Sequence, residues 1–186
     1  MATLIAAAAA FIGTNIDDLF LNMLFFAQTE TRRERHAVIA GKYLGIGFLL
    51  LVSCLGAGLL ASFTAEHGRW LGLVPAAMGV CACVNGRGKE EQTGETGPSK
   101  GLALSMALVT VANGGDNLGV YIPLFAGYSF AQLTAVWIVF AVMTALWCAA
   151  GLKLAEMPVL RGLLLKYKHT LVPVVLIGIG LYILLG

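Results

Sequence analysis

Charge is what this chain has least of: Asp, Glu, Lys and Arg make up 12% of its 186 residues, whereas 59% are hydrophobic. With a mean hydropathy of +0.85, that scarcity excludes an ordinary soluble domain and indicates an integral membrane protein. No Gly-x-x-x-x-Gly-Lys-Ser/Thr loop is present, so the chain contains no ATPase motor, and any work it does must draw on a gradient or on another protein. Only four cysteines occur, Cys54, Cys81, Cys83 and Cys148. All fall in apolar segments without a C-x-x-C pair, so neither a disulfide framework nor a thiolate metal site is expected. The first residues lack the basic n-region of a secretory signal, and the run through Ala6–Ala10 reads as a first membrane helix.

Six apolar stretches stand out, near 3–27, 36–62, 70–84, 101–127, 130–154 and 170–186. Residues 85–100, rich in Gly, Glu and Lys, form the one extended polar segment. They read as a cytoplasmic linker between residues 1–84 and residues 101–186, three spans on each side. Lys and Arg are distributed unevenly. Arg32, Arg33, Arg35, Lys42, Arg87, Lys89, Lys100, Lys153, Arg161, Lys166 and Lys168 group with the connections after the first, third and fifth spans, against Arg69 alone on the other side. This bias predicts a cell membrane protein with basic loops in the cytoplasm and both termini outside, and it makes a nucleic-acid role unnecessary.

Acidic residues break two of the apolar runs. One motif is Gly13-Thr14-Asn15-Ile16-Asp17-Asp18, the other Ala112-Asn113-Gly114-Gly115-Asp116-Asn117. Three unpartnered Asp at mid-membrane would cost roughly 8–10 kcal/mol in all on the insertion scale, so they are expected to serve a purpose. A shift of 98 residues superposes Asn15 on Asn113, Asp18 on Asp116, and Leu73-Val74-Pro75 on Leu171-Val172-Pro173 without a gap. An internal repeat follows. Three spans per copy forces the copies to cross the bilayer in opposite directions, as in secondary transporters. The predicted fold is an all-α membrane protein of six transmembrane helices in two inverted three-helix repeats.

Asn15 and Asp18 are three residues apart, as are Asn113 and Asp116, so each pair projects from one helix face. Asn22 extends the first stripe, and Thr110, Asn117 and Tyr121 extend the second. If these faces meet, they form an oxygen-lined chamber, and Gly13, Gly114 and Gly115 could let the backbone unwind to add carbonyl oxygens. The expected cation ligands are Asp18, Asp116, Asp17, Asn15, Asn113, Asn117 and Thr14; Asp17, about 100° around the helix from Asp18, would need a local distortion to join them. Two or three carboxylates among neutral oxygens suit a divalent cation. Crowded carboxylates also take up protons when empty, which suggests exchange of metal for protons. No catalytic residue or resident cofactor is expected; His36, His67 and His169 read as interfacial, and Met23, Met78 and Met106 as packing. Trp70 and Tyr167 read as interfacial anchors, and Pro75 and Pro173 as helix starts.

Three alternatives are compatible with the same residues: polar glue between helices, a cation channel, and an intramembrane aspartyl protease using two Asp. Asn113-Gly114-Gly115-Asp116 misses the Gly-x-Gly-Asp pattern of such proteases at its first position.

The run from Phe11 to Phe20 and the run from Ala112 to Phe125 closely resemble the signatures of the cadmium resistance transporter family, CadD, within the lysine exporter superfamily. The ending, Leu171-Val172-Pro173 followed by residues 176–182, is similar as well. The resemblance implies export of Cd²⁺ from the bacterial cytoplasm, driven by an ion gradient; the residues themselves do not name cadmium, and Zn²⁺, Mn²⁺ or another divalent ion is the alternative substrate. Protons are the expected coupling ion, and a homodimer suits so small a chain.

Overall fold

Helix formation follows the apolar runs closely. The computed structural model describes residues 1–63 and 101–157, together with 177 and 181. Five α-helices lie in these stretches: α1 (Ala2–Ala27), α2 (Arg32–Phe63), α3 (Leu102–Ala112), α4 (Gly115–Phe125) and α5 (Phe130–Glu156). Among the described residues α1, α2 and α5 are long and apolar enough to cross a membrane. The predicted spans 70–84 and 170–186, the linker 85–100, Pro75, Pro173, Cys81, Cys83, Met78, His67, His169, Trp70 and Tyr167 fall outside the described residues, apart from Ile177 and Leu181.

The predicted fourth span is two short helices in line. α3 ends at Ala112, and α4 restarts at Gly115 after a turn through Asn113 and Gly114. The glycines thus interrupt the helix at the second acidic motif, as expected, whereas α1 continues unbroken through Gly13 and the first. The requirement for glycine at 114 is steric, because a Cβ there would collide with the Leu49 side chain of α2.

Two reciprocal caps start the long helices after short connections. At α2, Thr31 Oγ1 accepts from the Glu34 amide (3.3 Å), and the Glu34 carboxylate accepts from the amides of Glu30 (2.9 Å) and Thr31 (3.1 Å). At α5, Ser129 Oγ accepts from the Gln132 amide (3.4 Å), and Gln132 Oε1 accepts from the Ser129 amide (2.8 Å). Five amides at the helix starts are satisfied in this way.

Packing joins the helices in parallel pairs. Thr3 meets Gln132, Phe11 meets Phe140, the Asn15 carbonyl meets Trp147 and Asn22 meets Gly151, so α1 and α5 run side by side in one direction. α2 runs parallel to the α3–α4 line: Gly41 lies against Ala103 and Met106, Gly45 against Ala107 and Thr110, Gly114 against Leu49 and Gly56 against Ile122. Contacts between the two pairs are sparser than those within them. One of them is the Tyr43 hydroxyl of α2, which donates to the Ala141 carbonyl of α5 (2.8 Å).

Outer faces carry Leu44, Phe48, Leu51, Leu55 and Leu59 on α2 and Ile138, Val142 and Leu146 on α5, all exposed. Their three- and four-residue spacing forms apolar stripes suited to lipid. Inside, one apolar cluster gathers Ala7, Ala10, Phe11, Tyr121, Phe125 and Phe140. A second, toward the C-terminal end of α1, gathers Phe25, Phe26, Val38, Leu102, Met106 and Cys148.

Gly41 and Gly45 face α3 at a four-residue spacing that lets two backbones approach closely. Gly41→Ala should destabilise the protein by about 1–3 kcal/mol through overpacking against the Ala103 backbone. Gly47→Ala, with nothing within 4 Å of its added methyl, should be neutral or slightly stabilising. Unfolding in detergent micelles measures both, and equal stability of the two variants would remove the close-approach account.

Candidate cation site

Both acidic motifs lie between the two clusters, at the junction of the helix pairs. α1 buries the face carrying Thr14, Asn15, Asp18 and Asn22, while α4 buries Asn117 and Tyr121. In an apolar slab, such side chains are stable only with partners. A directed chain satisfies most of them: Asn15 Nδ2 donates to Tyr121 Oη (2.8 Å), Tyr121 Oη to Thr14 Oγ1 (2.6 Å), and Thr14 Oγ1 to the Ala10 carbonyl (3.0 Å). The last bond uses the Thr14 proton, so Tyr121 must donate at the second link.

Asn15 Nδ2 also approaches Phe11 O (3.0 Å), Thr14 Oγ1 (3.0 Å) and Asn117 Oδ1 (3.3 Å). Phe11 O and Asn117 Oδ1 can only accept, which fixes the orientation of the Asn15 amide. Its other atom, Oδ1, is left with no hydrogen-bond partner in a fully buried residue. An oxygen so placed can be satisfied by a cation. The Asn15 backbone carbonyl accepts from Trp147 Nε1 (2.7 Å), which ties the motif to α5.

Asp18 is buried and ion-paired with Lys42 of α2, whose side chain is 0% exposed. Lys42 therefore does not belong with the basic cytoplasmic residues that the charge count grouped it with. It lies ten residues beyond Arg32, the start of α2, about 15 Å along the axis at 1.5 Å per residue. Asp116, in the first turn of α4, accepts from the Asn117 amide (2.9 Å), a position where the helix dipole favours a carboxylate. It lies within electrostatic range of both Asp18 and Asp17.

Thr14 and Asn117 are thus each in contact with Asn15, and Asp18 lies on the same buried face of α1. Asp17 is half-buried, and Asn113 is exposed at the C-cap of α3. Asn22 and Thr110 are buried with side-chain polar atoms lacking partners. No three of His, Cys, Asp and Glu form a ready metal cluster among the described residues. Lys42 and Trp147 were not recognised as site residues from the sequence. A Lys deep in an apolar run was the available signal for the first; nothing marked Trp147 apart from other tryptophans.

The model of the family described as cadmium resistance transporter matches residues 11–186. The chain belongs to the cadmium resistance transporter family. That match spans both acidic motifs and all but the first ten residues. No curated protein and no solved structure matches the chain. Family membership and the apolar helices together make this a membrane transporter of the cadmium resistance class rather than an enzyme.

Tyr121→Phe removes the central link of the Asn15–Tyr121–Thr14 chain and leaves Asn15 Nδ2 and Thr14 Oγ1 one partner short. A loss of about 1 kcal/mol is expected. Wild-type unfolding free energy in mixed micelles would show that the chain contributes no stability.

Proposed function

We propose that this transporter exports Cd²⁺, and other divalent cations of similar size, from the bacterial cytoplasm by alternating access, in exchange for protons. The observation that carries the reading is the buried Asn15 Oδ1. It lacks a donor and belongs to a residue that lies one helical turn from Asp18 and donates through Nδ2 to Asn117 Oδ1. The cation's ligands are Asp18, Asp116, Asn15, Asn117 and Thr14, with Asp17 and Asn113 joining as the helices rearrange. Lys42 occupies Asp18 Oδ2 and competes there with any incoming cation.

The proposed architecture is the six-span inverted repeat, with residues 1–84 and 101–186 as its copies and 85–100 between them in the cytoplasm. Several features support it. The capping pairs Thr31–Glu34 and Ser129–Gln132 are 98 residues apart, as are the motifs. The pairing of α1 with α5 corresponds, under the same shift, to that of α3–α4 with α2. Tyr43 and Ala141, which touch, are themselves 98 residues apart, and a residue meets its own equivalent only near a symmetry axis. The two motifs then approach the site from opposite sides, as two-sided access needs. The apolar clusters flanking the site would serve as alternating barriers, which a channel does not require. The charge bias supports basic loops inside and both termini outside the cell membrane.

Reconstituted in liposomes, the protein should show saturable Cd²⁺ flux that responds to an imposed pH gradient. Asp18→Asn and Asp116→Asn should each reduce it about 100-fold, consistent with the loss of one or two charged ligands at about 1.4 kcal/mol per factor of ten. Cys54→Ala and Cys148→Ala should change it less than threefold. Undiminished flux in either Asp variant would exclude the shared site, and flux indifferent to pH would exclude proton exchange.

A further inference from the structure

Lys42 is the one cation buried among the described residues, and nothing in the oxygen-ligand arrangement calls for it. Its side chain is fully buried and reaches Asp18 from α2, across the sparse junction between the helix pairs. A fixed ammonium on a cation-binding carboxylate reduces that carboxylate's attraction for any other cation. Resting on the transport reading above, we propose that Lys42 is a resident counter-cation: its ammonium occupies Asp18 when the site is empty, and the transported metal must displace it.

The repeat makes the placement one-sided. Shifted by 98 residues, Asp18 corresponds to Asp116, but Lys42 corresponds to Phe140. Phe140 is buried edge-on against Phe11 and Tyr121, with centroids 5.2 and 4.9 Å away. One acid thus has a built-in partner, while its counterpart is served by a helix N-terminus and the Asn117 amide. The formal charge of the three Asp and one Lys is −2, which one divalent cation cancels and a monovalent cation does not. Lys42 also closes the polar junction when no metal is bound, because a bare Asp18 would be costly to carry through the apolar barriers.

The test is Cd²⁺ binding to the purified full-length protein by isothermal titration calorimetry, alongside size-exclusion and thermal-unfolding controls. Lys42→Gln removes the competitor and should tighten Cd²⁺ binding at least tenfold. Lys42→Arg offers Asp18 a planar, two-pronged partner that is harder to displace, and should weaken Cd²⁺ binding at least tenfold. A merely structural lysine would leave affinity unchanged in Arg and weaken it in Gln, and that pattern overturns the inference. Should Lys42→Gln fail to fold, the Arg variant decides alone: weaker binding supports the displacement and unchanged binding overturns it. Wild-type protein that binds no Cd²⁺ would remove the transport reading and this inference together, whereas wild-type binding with both variants unaltered removes only the inference.

Discussion

A carboxylate in the apolar middle of a bilayer must have its charge compensated, and the described structure is organised around that requirement. Asp18 meets it with Lys42, which draws α2 onto α1 at a junction where the two helices otherwise touch little. Asp116 meets it by standing at the start of α4, where free amides and the helix dipole are available. The interruption at Asn113 and Gly114 is what creates that second start. The helix break therefore supplies local compensation for an acid that lacks a lysine.

Around these acids, the polar atoms form a sequence of directed bonds rather than a loose collection. Tyr121 is both acceptor from Asn15 and donor to Thr14, and Trp147 holds the Asn15 carbonyl. Each helix pair contributes to the chain, so relative movement of the pairs would break and remake it. The unpartnered Asn15 Oδ1 is the place where a positive ligand would complete it.

Much of this was legible from residue order. Expected spans at 3–27 and 130–154 became helices at 2–27 and 130–156, because apolar runs bounded by polar turns leave the backbone no better way to satisfy itself in lipid. The Asn-x-x-Asp spacing placed Asn15 and Asp18 on one buried face, whereas Asn113 and Asp116 do not share a helix face, because the helix breaks between them and leaves Asn113 exposed. Other readings needed the third dimension. Gly13 and Gly114 look alike in sequence, yet α1 stays intact while the second motif splits, where Gly114 lies against Leu49 of α2. Lys42 was grouped with loop residues because charge-counting assigns a lysine near a predicted helix end to water.

Residue order by itself determined the membrane setting, the extents of α1 and α5 and the buried polar face of α1, since all three depend on local hydropathy and on the 3.6-residue period. Which helices run together, and which charge meets which, came from packing. α1 lies along α5, more than a hundred residues away, and Asp18 finds its cation on the next helix rather than on its own. Close approach at glycines and compensation of buried charge are properties of two surfaces together, and no pattern within one helix specifies them.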